Sequence, residues 1–190
     1  MKLHLIALSC MALGACAVQS AQDGKPLAKM TFAHITPEPI YVASYEAIGL
    51  PTNKTPFMPV GFVTDPSVIA YDYLKNRFSA AGTTGKLRAV IRDVKVTHEI
   101  LPSENQVGAA LGIGKRDYYH ITLNLSLEAF GGNGFDKKSV ALTANRGVYI
   151  SEHVSIVQRE QAQMEALDSM LDDLDISIQK TLKEQFHLMD

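Results

Sequence analysis

From Tyr119 to Ala129 the chain alternates without a break, with Tyr119, Ile121, Leu123, Leu125, Leu127 and Ala129 on one parity and His120, Thr122, Asn124, Ser126 and Glu128 on the other. Successive side chains of a strand point to opposite faces, so this run specifies a strand with one apolar and one polar face. Gly131-Gly132-Asn133-Gly134 then turns the chain. Val140, Leu142, Ala144, Val148 and Ile150 form a returning strand, with Ser139, Thr143, Asn145 and Tyr149 on its other face. One buried face and one wet face describe an antiparallel sheet, and the apolar face needs a second layer to cover it.

The remaining elements supply that layer. Asp65-Pro66 is a helix start, with Asp65 as cap and Pro66 in the first turn where its missing amide costs nothing. Ala70, Tyr71, Leu74, Phe78 and Ala81 follow at helical spacing, and Gly82 is read as the stop. Near the end, Val157, Met164, Leu167, Leu171, Leu174, Ile178, Leu182 and Phe186 keep three-and-four spacing. This predicts a long amphipathic helix beginning between Ser155 and Gln158, with Glu165, Asp168, Asp172, Asp175 and Lys183 in solvent. Ile40 to Ile48, bounded by Pro37, Pro39, Gly49 and Pro51, is a strand of undetermined place in the sheet, and Leu50 to Thr64 is a loop or irregular edge. From Leu87, the apolar positions Leu87, Ala89 and Ile91 give way to Val94, Val96 and Ile100. That one-residue slip would flip every side chain, so a bulge or bend near Arg92-Asp93, or a separate short strand, is required. The order predicts an α+β domain: a two-layer sandwich with a mainly antiparallel sheet, and a short helix and a long C-terminal helix packed on one face.

The first residues are of a different kind. Lys2 precedes an uncharged apolar run from Leu3 to Leu13 and small residues before Cys16, which is the pattern of a secretory signal. A run of about eleven residues is well short of the roughly twenty that span a bilayer. Leu13-Gly14-Ala15-Cys16 resembles the lipobox of bacterial lipoproteins. That resemblance implies cleavage before Cys16, a diacylglycerol on its thiol and an acyl chain on the new amine. Each buried acyl methylene contributes about 0.8 kcal/mol, so several chains hold a protein on a membrane where one would not. The other reading is cleavage after Ala15 or Ala17, giving a soluble periplasmic protein. Cys10 would leave a very short apolar run and is the weaker lipidation candidate.

Residues 1–15 are thus read as signal peptide, 16–31 as lipidated cysteine and flexible tether, and 32–190 as one periplasm-facing domain. Extended at roughly 3.3 Å per residue, the tether reaches about 40 Å. Ala17 stands where an aspartate would mark inner-membrane retention in many enterobacteria, so the lipoprotein rule implies the outer membrane. The element order is similar to that of small envelope lipoproteins of the YajG type, in which a lipidated cysteine and tether precede a helix, a meander of strands and a C-terminal helix. This implies an outer-membrane, periplasm-facing lipoprotein without known catalysis, with Cys16 as the one functional residue carried over.

Cys10 and Cys16 are the only cysteines, so a mature chain starting at Cys16 has no internal disulfide, thiolate zinc site or free cysteine nucleophile. Without Lys2 the 18 basic and 20 acidic residues become 17 and 20, a net charge of −3 and no footprint for nucleic acid. Gly108 to Arg116 has the glycines of a phosphate-binding loop, but Ala109 stands where its first glycine belongs and Arg116 where the magnesium-binding Ser/Thr belongs. It also leads into a strand instead of a helix, so a loop between strands accounts for it better.

His34, His98, His120, His153 and His187 form no pair at ligand spacing, and His98 and His120 lie on opposite parities. The acidic run Asp168, Asp172, Asp173 and Asp175 reads as an outward helix face, and no Gly-x-Ser-x-Gly elbow occurs. Tyr41, Tyr45, Phe57, Phe62, Tyr118 and Tyr149 include strand-face packing and possible contact residues. No cofactor or metal is expected apart from the acyl groups on Cys16. The chain is therefore expected to act by binding, as an accessory or scaffold subunit of an envelope assembly. Its polar sheet face, His120, Thr122, Asn124 and Ser126, or a sheet edge would dock an envelope protein. The competing readings are a carrier or sensor of an apolar ligand held between sheet and helices, and an envelope hydrolase.

Overall fold

A computed structural model describes residues 30–102, 110, 114–132 and 135–190. The signal segment, Cys16, the tether through Lys29, most of the glycine-rich 108–113 segment and the turn residues Asn133 and Gly134 lie outside the described residues.

The predicted hairpin is the centre of the molecule. Strands β5 (Arg116–Gly132) and β6 (Phe135–Ser151) pair antiparallel, with Leu127 opposite Val140, and β4 (Lys86–Leu101) pairs antiparallel on the other side of β5. The register of β4 slips between Ile91 and Asp93, so the parity break is a β-bulge at Arg92 within one continuous strand. It keeps Ile91 and Val94 both in the core, at 0% and 2% exposure.

The first strand is two. Strands β1 (Glu38–Ile40) and β2 (Ser44–Ile48) are separated by a bend at which the Val42 amide donates to the Ile40 carbonyl, 2.9 Å away. β2 pairs parallel with the start of β4, completing the sheet order β2-β4-β5-β6, while β1 pairs parallel with a short strand β3 (Phe78–Ala80). Helix α1 (Pro66–Arg77) is the crossover that makes both parallel pairings possible.

At the start of α1 the Asp65 carboxylate accepts from the Ser67 amide at 2.8 Å. The helix ends at Arg77, five residues before the glycine read as its stop. Phe78 turns extended because Phe78–Ala80 is claimed by pairing with β1. Gly82 serves packing instead: a Cβ there would lie 2.5 Å from the Tyr41 carbonyl carbon.

Helix α2 (Ile156–Thr181) is capped by Ser155, whose hydroxyl accepts from the Gln158 amide while the Gln158 side chain takes the Ser155 amide. Its stripe Leu167, Met170, Leu171, Leu174 and Ile178 is buried, and a turn of π-helix (Leu182–Phe186) continues it with Leu182 and Phe186 fully covered. One polar residue departs from its expected place. Asp175 is drawn in to Arg77, which forks onto it at 2.8 and 2.9 Å and reaches Glu38 at 2.5 Å.

Both helices contribute to one core with the apolar face of β5, so the α+β, two-layer arrangement with the helices on one face of the sheet is the fold. Met30 and Phe32 already pack against that core.

Candidate functional site

Three places in this frame hold chemistry-bearing side chains. The first is the outer face of the sheet. His120, Thr122 and Asn124 lie on it half-buried, while Ser126 is only 7% and Glu128 9% exposed. Flanking strands crowd a central strand on both sides, so the polar parity that alternation marks as wet is largely screened at its lower end. Ser126 bonds Ser139 across the hairpin at 3.1 Å, and Thr143 donates to Asn124 at 2.8 Å. At the upper end Tyr118 stacks on Tyr149, with ring centroids 4.6 Å apart, and Tyr149 is 58% exposed. The close approach of Tyr118 to Gly147 requires the missing side chain there, since a Cβ would sit 2.6 Å from the tyrosine hydroxyl. The aromatic residues thus divide: Phe62 is core, Tyr45 is half-buried with its hydroxyl on the Leu74 carbonyl at 2.8 Å, and Tyr41, Phe57 and Tyr149 are exposed.

The second place joins the end of the sheet to the start of α2. His98 Nε2 lies 2.7 Å from one oxygen of Asp117, and Arg159 reaches the other oxygen at 2.6 Å and the Tyr119 hydroxyl at 3.3 Å. Burial raises the Asp117 pKa, but hydrogen bonds from Arg159 and His98 outweigh it and hold the carboxyl below its ordinary value. Burial, helped by Asp117, pushes the Tyr119 hydroxyl up. The His98 ring stacks on Tyr119 at 4.6 Å, and the backbone of Val60 and Gly61 closes over that tyrosine. A histidine and carboxylate pair is two members of a hydrolytic triad, but here the carboxylate's other oxygen faces a guanidinium and the imidazole ring faces a phenol. The chemistry is that of an ion-pair cluster tying α2 and the 57–63 loop to the sheet. His98 and His120 lie on opposite faces, as their parities require.

The third place is a groove of about 570 Å³ where the chain leaves β2 and passes the bulge of β4. Its apolar wall is Ile48, Leu50, Pro51 and Val90, and its charged groups are Lys54, Arg88, Arg92 and Glu128. The bulge takes Arg92 out of the cross-strand register; its carbonyl accepts from Lys54 at 3.3 Å, and its guanidinium pairs with Glu128. Arg88 meets Glu46 at 3.2 Å, but Glu46 is already taken by Lys86 at 2.7 Å, and it is chiefly Lys86 that holds the Glu46 carboxyl below its ordinary value. Nothing in the local alternation marks this site, because it is assembled from a loop and three strands distant in sequence.

An apolar ligand between sheet and helices would have to enter filled space. Leu123, Leu125, Leu127, Leu167, Met170 and Leu174 meet there, each at 0% or 1% exposure. Among the described residues no three His, Cys, Asp or Glu side chains are grouped to hold a metal ion, and no described helix is long and apolar enough to cross a membrane. No protein-family model and no curated protein matches the chain.

Proposed function

We propose that the protein is a non-enzymatic lipoprotein of the bacterial envelope, anchored through acyl chains on Cys16 at the periplasmic face of the outer membrane, and that it works as an accessory or scaffold subunit. The observation that supports this reading is the one-sided layering: both described helices cover the inner face, leaving β4, β5 and β6 to present a long outer face. β6 is a terminal strand of that sheet, and among the described residues no strand pairs with its outer edge, which leaves backbone donors and acceptors for strand addition. The stacked pair of half-buried Tyr118 and exposed Tyr149, beside His120, Thr122 and Asn124, is the kind of amphipathic surface that proteins use for contact.

The test has two arms. Intact mass and membrane fractionation of the chain are compared with Cys16→Ser, and the lipoprotein reading expects a multi-acyl mass increment and outer-membrane partition lost in the variant. A photo-crosslinker at Thr122 or Asn124 is then expected to capture an envelope protein that one at Asp168, on the helix side, does not. A soluble protein with an unmodified N-terminus overturns the anchor, and equal capture from both sides, or none, overturns the docking face.

A further inference from the structure

The groove beside the bulge joins an apolar wall to an excess of cations. Lys54, Lys86, Arg88 and Arg92 are set against Glu46 and Glu128, so the immediate surroundings carry a surplus of positive charge in a chain whose overall charge is negative. Arg92 is committed to Glu128. Arg88 and Lys54 keep donor capacity: Arg88 lies over the Phe130 ring and shares its carboxylate with Lys86, and among the described residues the Lys54 ammonium holds one carbonyl oxygen, at 3.3 Å. Both project from the rim of a wall made by Ile48, Leu50, Pro51 and Val90.

We propose that this groove binds an anionic amphiphile, with its phosphate or carboxylate head held by Arg88 and Lys54 and the first part of its apolar chain lying along Leu50, Pro51 and Val90. A guanidinium presents a planar fork matched to either oxyanion, and an ammonium adds a point charge. A fully hydrated ion would gain little from the apolar wall, and a neutral chain would leave the cations unused. Only a molecule carrying both parts satisfies both. The volume accommodates a head and a partial chain, within the range of ordinary ligand sites. The groove lies on the same outer face as the docking surface but away from Tyr118, His120 and Tyr149, so the variants below test it separately.

The test uses the full chain carrying Cys16→Ser, so that no attached acyl group competes. It is titrated by calorimetry with decyl phosphate below its micellar concentration, with inorganic phosphate and with decyl maltoside. Saturable binding of decyl phosphate, at least tenfold tighter than either of the others, is expected. Arg88→Gln with Lys54→Gln should weaken it at least tenfold. Both changes spare the fold, because Glu46 keeps Lys86, Phe130 keeps Lys137 over its ring, and the Arg92 carbonyl can turn to water. Arg146→Gln, at the exposed Arg146–Asp173 pair, should leave it unchanged. Equal affinity for inorganic phosphate would make the site one for the bare ion and overturn the proposal. So would equal affinity for decyl maltoside, an unaltered Kd in the double variant, or the same loss in Arg146→Gln.

Discussion

Replacing Arg77 with methionine removes a cation that ties three elements together. Its guanidinium ends α1, forks onto Asp175 of α2 at 2.8 and 2.9 Å, and reaches Glu38 of β1 at 2.5 Å while lying over the Phe78 ring. The side chains of Arg77 and Asp175 are 14% and 17% exposed, so the pair is mostly, not wholly, removed from water. Breaking a buried pair by deleting one partner costs about 3–5 kcal/mol, because the other charge is left uncompensated. The residual solvent contact, and the hydrogen bonds Asp175 keeps from Tyr73 and Gln179, reduce this to about 2–3 kcal/mol. For a domain of this size that is a fall in Tm of roughly 5–10 °C. Urea unfolding followed by circular dichroism reads it directly.

The same reasoning makes a sharper demand. Arg77→Met combined with Asp175→Leu removes both charges and should recover at least half of the loss. Acid adds a sign. Burial raises the Asp175 pKa, but its bonds to Arg77 and Tyr73 outweigh that and hold the folded carboxyl below its ordinary value. Its contribution is therefore complete above the unfolded value of about 3.9 and is lost as pH falls through the lower folded one, and Arg77→Met should flatten that part of the acid branch. A single variant within 0.5 kcal/mol of the parent (roughly the noise of a surface substitution) would refute the account, as would a double variant whose cost is the sum of the two singles.

Other expectations follow from local geometry. Ser155→Ala opens the capping box of α2 and should cost about 1 kcal/mol by thermal melting, with Ser155→Gly costing less. Gly82→Ala puts a methyl 2.5–2.6 Å from the Tyr41–Val42 backbone and should destabilise by about 2 kcal/mol or more, whereas Gly131→Ala, with open space but φ of +62°, should cost about 1 kcal/mol. Asp117→Asn deletes the anion between His98 and Arg159. Since the folded Asp117 carboxyl is depressed, its stabilisation holds above about pH 4 and disappears as pH falls through the folded value, so parent and variant should converge in acid; a constant gap from pH 7 to pH 2.5 would contradict this.

The sequence by itself determined whatever is decided within a few residues. Alternation settles the faces of β5 and β6, because a one-residue slip would bury Thr122 and Asn124 and expose Leu123 and Leu125. The parity break at Arg92 required a bulge, a bend or a strand break for the same reason, and Asp65-Pro66 marks a helix start, with that of the long helix bracketed between Ser155 and Gln158, because capping is a contact between near neighbours. The end of α1 was not legible: Phe78 has helical spacing, and it turns extended only because Glu38–Ile40 lies alongside to pair with it. Nor was the split of the first strand, or its parallel pairing with β4, which depends on where the crossover brings the chain back.

The sites divide along the same line. His120, Thr122 and Asn124 were legible as an outer face from parity alone, but the burial of Ser126 and Glu128 comes from neighbouring strands. Asp175, on the polar side of its helix, is drawn inward by an arginine 98 residues away. The groove unites Lys54, Arg88 and Glu128 through the loop after β2, the bulge and the hairpin. No window of sequence contains all three, and only tertiary pairing places their charges around one apolar wall.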